Sequence, residues 1–304
     1  MNYTIAGIGA NVFDTLITIS SFPEEDTKMR ADATKTSGGG PCATGLCAAS
    51  VLGEKSAYIG ILSDDNAGKF LLSDMEKFGV GTDGVKVESG FSSFSSCIWL
   101  NTEKATRTCV FDRGNLPPLA LDEKQKKIIT DAKILMVDGN ELEAAIDGAK
   151  TARENETLVL YDAGGLYQGI DRLLPLADIL IPSFEFATKY TQTTTAKEAA
   201  TKLYDMFSPK VVVITMGKEG GVLYDGKEFF EYPAFPVKAV DSNGAGDVFH
   251  GAFAFCVAKG FDFKKACIFS SAVSALKCMN VGARESVPDY DKTVEFLKER
   301  NYNV

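Results

Sequence analysis

Short apolar runs that read as β-strands alternate with stretches of helical character along most of the 304-residue chain. The strands are "NYTIAGIGA" (2–10), "SAYIGIL" (56–62), "AKILMVDG" (132–139), "TLVLYDAGG" (157–165), "ADILIPS" (177–183) and "KVVVITMG" (210–217). Between them lie "PCATGLCAASVLG" (41–53), with Pro41 in its first turn and Gly53 as its stop, "AGKFLLSDMEKFGV" (67–80), "ELEAAIDGAKTAREN" (141–155), "FEFATKYT" (184–191) and a helix within 199–207. Strands that are apolar on both faces belong in a parallel sheet covered by helices on each side. The expected fold class is therefore α/β, with a single doubly wound, mostly parallel sheet.

Three stretches break the rhythm. "FSSFSSCIWLNTEKATRTCVFDRG" (91–114) reads as two strands around a polar turn at Asn101–Lys104, and "VFDTLITIS" (12–20) alternates like a strand. "PEEDTKMRADATKTSGGG" (23–40) reads as a polar surface excursion. Together they predict a small β-hairpin lid drawn from about 12–36 and 91–115, within one domain spanning 1–304. "GGVLYDGKEFFEYPAF" is a hairpin around Asp225–Gly226, and the last helices fall at about 246–259, 263–279 and 289–299. No linker or long repeat divides the chain.

Composition excludes several functions. A net charge of −9 without a Lys/Arg run excludes a general nucleic-acid binder. No apolar run reaches the ~18–20 residues of a membrane span, and "MNYTIAGIGANVFD" lacks the basic head and apolar middle of a secretory leader. A cytoplasmic protein without membrane partners is expected. Seven cysteines without a Cys-x-x-Cys read as core residues in a reducing compartment. His250 is the only histidine, so neither a zinc cluster nor a Ser-His-Asp triad elsewhere is available. It reads as a partly buried helix residue.

One stretch carries chemistry: "AVDSNGAGDVFHGAFAFCVAKG" (239–260). Gly244 and Gly246 each weaken a helix start by about 1 kcal/mol relative to Ala. They also bare consecutive backbone N–H groups, which with the helix dipole make an anion site. Asp247 follows directly. A carboxylate beside a phosphoryl site suits a general base that activates a hydroxyl for attack on phosphorus. The plainer alternative is an acid at a helix N-terminus, stabilising by ~0.3–1 kcal/mol.

"DSNGAGDVF" (241–249) resembles the C-terminal signature of the ribokinase-like (pfkB) carbohydrate kinase family, and "GGGPCA" (38–43) is similar to its N-terminal one. "GANVFD", "ILSDDNAG", "ADILIPS", "TMGKEGG" and "GARESVP" follow the family's order across nearly the whole chain. The resemblance implies a ribokinase-like fold and ATP-dependent phosphoryl transfer to a small sugar. Asp247 would be the base, and Gly244, Ala245 and Gly246 the anion hole. Asp14, Gly38 and Gly39 would contact acceptor hydroxyls. Ser183, Thr215, Gly217 and Gly220 would lie near the nucleotide, which enters with Mg²⁺, and the lid would exclude water. Some members bind a monovalent cation such as K⁺. The matching positions are Asp241, Asn243, Lys277, Gly282 and Ser286, mostly through backbone carbonyls, which leaves the Lys277 side chain uninvolved.

The chain departs from the family pattern at Ala43, where the signature has Asn, and at Ser183-Phe184-Glu185-Phe186, where it has Asn-x-x-Glu. Glu185 is one residue off register, a turn of about 100° on a helix. Ser242 replaces the common Thr. Arg107 and Arg113 read either as solvated lid charges or as anchors for an anionic acceptor group. Asp138 reads either as a turn-starting acid or as a ligand of sugar hydroxyls. Two other acceptor readings stay open: a nucleoside, stacked on lid aromatics such as Phe91, Phe94 or Trp99, and a sugar- or nucleotide-binding protein with little catalysis. An unpaired lid edge could join a second copy into a homodimer. "GIGANV" lacks the third glycine and following helix of a dinucleotide fingerprint, and "AGKF" lacks the spacing of a P-loop.

Overall fold

The computed structural model describes residues 3–104 and 106–303; Asn2 of the first quoted strand and Ala105 of the lid stretch lie outside them. The chain begins with β1 (Ile5–Ile8), β2 (Val12–Ile19), β3 (Ala33–Gly39), α1 (Pro41–Val51), β4 (Ser56–Ser63), α2 (Asn66–Lys77) and β5 (Gly81–Glu88). It continues through β6 (Ser95–Asn101), β7 (Thr106–Asp112), α3 (Glu123–Asp131), β8 (Ile134–Val137), α4 (Leu142–Glu154), β9 (Leu158–Ala163), β10 (Ile179–Pro182), α5 (Phe184–Thr191) and α6 (Ala196–Phe207). It ends with β11 (Val211–Thr215), β12 (Gly221–Tyr224), β13 (Phe229–Tyr232), α7 (Ala245–Ala258), α8 (Phe263–Lys277) and α9 (Tyr290–Lys298).

The expected sheet is there. Nine strands run in the order β13-β12-β11-β10-β9-β8-β1-β4-β5, parallel except for the β12–β13 hairpin at one edge. The strand period of two divides its side chains between two cores. In β8, Ile134 and Met136 join Phe253, Phe255 and Phe269 on one face, while Leu135 and Val137 join Ile129, Ala145 and Tyr161 on the other. Both faces are apolar because both are covered, the first by α1, α7 and α8 and the second by α3, α4 and α6.

The lid is a second sheet in the order β3-β2-β6-β7. It corrects the reading of 23–40 as excursion throughout: Ala33–Gly39 is a strand paired antiparallel to β2, with Val12 opposite Gly39 and Thr18 opposite Ala33. Its polar residues showed no strand pattern because its outer half is solvent-exposed; the ladder with β2 supplies the conformation. β3 and β7 are the two edges of this sheet, and β7 is exposed along its whole length, with Val110 and Phe111 open to solvent. All seven cysteines are free, and four of them are buried. Among the described residues no helix is long and apolar enough to cross a membrane.

Candidate active site

The carboxyl ends of parallel strands collect ligand-binding groups, and here they bring together residues far apart in sequence. Asp138 follows β8, Asp162 lies in β9, Ser183 follows β10 and Thr215 ends β11. The start of α7 faces the same edge. Gly244 takes a left-handed φ of 73° as its N-cap, where a Cβ would also lie 2.6 Å from Ala283 Cβ. The Ala245 N–H donates to Ser242 O at 3.2 Å and the Asn243 N–H to Asp241 Oδ1 at 2.8 Å. The N–H groups of Gly246 and Asp247 have no acceptor among the described residues. Two donors at a positive helix end are thus free for an anion.

Asp247 stands in the first turn of α7, half-buried. Burial raises its pKa; His250 opposes the rise, Asp138 adds to it, and Arg107 and Lys277 oppose it. Arg107, on the strand β7, is thus near enough for its charge to be felt at Asp247. His250 ties the first turn of α7 to the sheet. Its Nδ1 lies 2.6 Å from Gly246 O and 3.2 Å from Asp162 Oδ2, and its Nε2 3.0 Å from Ile181 O. Asp162 is buried and its pKa is pushed up to about 7 by burial, against the pull of His250.

On the lid side, Asp14 lies in β2 and accepts the Ser96 hydroxyl at 2.6 Å. A Cβ at Gly39 would fall 1.9 Å from its Oδ2, so only glycine lets β3 lie this close. Burial raises Asp14 to about 6, with Ser96 and Arg284 pulling down and Asp247 pushing up. Gly38 and Gly39 end β3 beside it. Because folded Asp14 holds its proton more tightly than the unfolded chain, stability falls as pH rises from about 4 to about 6, and the penalty is complete above that range. Asp14→Asn is therefore expected to raise the melting temperature at pH 7.5, by at most about 3 kcal/mol of stability, while raising KM for the acceptor. The stabilisation should vanish near pH 4. Melting curves across pH decide it, and an Asn variant no more stable at pH 7.5 would contradict it.

Asp138 is 2% exposed, and its carboxylate accepts from the N–H groups of Ala10, Cys42 and Asn140 at 2.9, 3.0 and 2.9 Å. The bond to the Asn140 N–H fits the turn-starting reading, and Oδ1 keeps acceptor capacity for the other, a sugar hydroxyl. Arg113 follows β7, donates to Asn140 Oδ1 at 2.9 Å, and lies over the rings of Phe94 and Tyr167 at 5.7 and 5.8 Å. With Asn11 and Asn140 it lines a cavity of about 300 Å³. The Trp99 ring packs on Phe22 and the Phe94 ring on Phe111, so these aromatics are engaged within the lid.

A second cavity, of about 480 Å³, opens beside the start of α7. Thr215, Gly217 and Gly220 line it, as do Ala245, Gly246 and the rings of Phe235 and Phe249. It is apolar, large enough for a nucleobase and ribose, and continuous with the free amides. Ser183 is not part of this wall. It pairs with Thr215 across the sheet, but its Oγ caps α5 by accepting the Phe186 N–H at 3.1 Å. Phe186 is buried and stacks on Tyr190, while Glu185 faces solvent in an ion pair with Lys189 at 2.6 Å. The one carboxylate of 183–186, that of Glu185, is thus paired with Lys189 in solvent, and Ala43, fully buried in α1, offers the acceptor no polar group.

The monovalent-cation expectation needs correction. Lys277 is fully buried, and its side chain, not its carbonyl, enters the proposed site: Nζ donates to Asp241 O at 2.8 Å and to Asn243 O. The residues present do not fit a free ion there, since it would share carbonyls with an ammonium. Sequence reasoning also missed Arg284. It is 1% exposed and donates to Asp74 Oδ2 at 2.6 Å, Gly39 O at 2.6 Å and Asn11 Oδ1 at 2.9 Å. The quoted "GARESVP" contained it, but nothing in the local pattern marked it as buried.

Known proteins resemble this chain over most of its length. The profile described as pfkB family carbohydrate kinase matches residues 8–290. A 5-dehydro-2-deoxygluconokinase of Clostridium botulinum is 28% identical, covering 86% of this chain and 84% of that protein. The ribokinase of Haemophilus influenzae is 25% identical over 98% of this chain and 99% of its own. The solved structure of Arabidopsis thaliana ribokinase complexed with ribose and ATP shares the fold, with a TM-score of 0.87, 23% identity and coverage of 98% and 99%.

Proposed function

The chain belongs to the pfkB family of carbohydrate kinases, and on that footing we propose that it phosphorylates a hydroxymethyl group of a small sugar or sugar derivative, with Asp247 as general base. One observation carries the reading: Asp247 and two unpaired N–H groups stand between a nucleotide-sized apolar cavity and the Asp14 side of the lid. Asp247 takes the proton of the acceptor hydroxyl as that oxygen bonds the γ-phosphorus and the bond to ADP breaks. The N–H groups of Gly246 and Asp247 hold the charge that develops on the transferred group. A raised pKa brings Asp247 closer to the pH at which a base is both ionised and basic enough.

Asp14 accepts acceptor hydroxyls, and lid closure excludes water that would otherwise hydrolyse ATP. Magnesium would enter with the phosphates of ATP and would offset the charge that develops on them. Arg107 and Arg113, on the acceptor side, favour a substrate with an anionic group. The relatives named for 5-dehydro-2-deoxygluconate and ribose support a small polyhydroxylated acceptor.

ADP release should be measured against sugars, sugar acids, sugar phosphates and nucleosides. Turnover is expected with a sugar or sugar acid. Turnover confined to nucleosides, or thermal stabilisation by sugars with no ADP released, would overturn the assignment.

A further inference from the structure

Lys277 is the last residue of α8, and its ammonium is buried under the loop that leads into α7. Three oxygens of that loop surround it: Asp241 O at 2.8 Å, Asn243 O, and Asp241 Oδ2 at 3.8 Å. The Asp241 carboxylate is itself held, accepting the Asn243 N–H at 2.8 Å and the Gly282 N–H at 2.9 Å. The loop thus folds around one positive charge, with the side chain of Asp241 and two of its carbonyls turned inward. In a planar peptide the inward carbonyls of Asp241 and Asn243 turn the N–H groups of Ser242 and Gly244 the other way, and Gly244 is the N-cap from which α7, with the free Gly246 and Asp247 N–H groups, starts. The C-terminal end of α8 adds its own negative dipole to the cage.

Burying an ammonium is unfavourable unless oxygens replace its water. Burial lowers the Lys277 pKa, and Asp241 is the strongest influence holding it up. A chain that needed only to pack α8 against this loop could use an apolar residue. Lys provides a compact point charge on a flexible stem, and three oxygens are arranged on it.

We propose that the Lys277 ammonium is a tethered resident cation that shapes the anion-hole loop, in place of a free monovalent ion. The proposal rests on the anion-hole reading for its effect on rate, and on geometry for its effect on the loop. It makes Lys277 a positioning residue: it acts through Asp241 and Asn243 on Gly244, Gly246 and Asp247. It also makes the wild-type enzyme indifferent to the kind of monovalent cation in the buffer.

Two readouts test it, in KCl and in tetramethylammonium chloride at equal ionic strength. For the wild-type protein, both the melting temperature and the ADP-release rate should be the same in the two salts. A K⁺-specific rise in either overturns the proposal, and this arm needs no variant. Lys277→Ala empties the cage. In tetramethylammonium it should melt lower and lose roughly 10–100-fold in kcat, the scale seen when the outer support of a site is removed. K⁺ should then restore part of both, in a saturable way. Lys277→Met fills the space without charge and should show the loss with no K⁺ rescue. A Lys277→Ala protein that melts and turns over like wild type in both salts sinks the idea. If no acceptor is phosphorylated at all, the kinase reading has failed, while the melting temperatures still decide the cation question.

Discussion

Replacing Asp247 with Asn should lower kcat by roughly 10²–10⁴-fold, the usual contribution of a positioned general base, with acceptor and nucleotide dissociation constants nearly unchanged. Asn keeps the size and hydrogen-bonding reach of Asp but cannot take the hydroxyl proton. The free N–H groups of Gly246 and Asp247 belong to the backbone and survive the change, so the phosphoryl group is still held. Wild-type kcat should also fall on the acid side, because Asp247 must be ionised to act and its pKa is raised by burial. That acid limb should disappear in the Asn variant. Single-turnover rates and calorimetric binding across pH check both parts. A variant with near-normal kcat would remove Asp247 from the chemistry and leave it as a helix-terminal acid.

The second large effect concerns folding. Arg284→Met should destabilise the protein by about 3–5 kcal/mol, the cost of stranding one member of a buried ion pair. Asp74, 8% exposed, would lose its ion-pair partner, and the Gly39 carbonyl and Asn11 amide would lose a donor. Urea unfolding should show a lower midpoint with little change in slope. Adding Asp74→Leu should recover much of the loss, because the stranded charge is then gone. A single variant within about 1 kcal/mol of wild type would mean that water already reaches the pair. KM for the acceptor should rise as well, since Arg284 anchors β3 beside Asp14.

Much of the architecture was legible because it follows from local chemistry. Ile134-Leu135-Met136-Val137 is apolar at every position, which only a strand covered on both faces permits. Pro41 and Gly53 bracket α1 as read. The illegible elements have physical reasons. β3 and β5 ("GTDGVKVE") are polar edge strands whose conformation comes from their neighbours' ladders. α3 did carry a signal that went unread: Asp122 and Gln125 form a capping box.

The core of the candidate site was legible for the same reason. Gly244, Gly246 and Asp247 are contiguous, and bare amides beside a carboxylate are a property of three neighbouring residues. Arg284 and Asp74 lie 210 positions apart, and Lys277 meets Asn243 across 34. No local spacing distinguishes a lysine that caps a helix in solvent from one buried in a cage of carbonyls. Covalent order sets which backbone groups stand free at a helix start and which strands must be buried on both faces. Which distant side chain neutralises which charge depends on desolvation and packing density, and those exist only once the helices and both sheets have closed on one another.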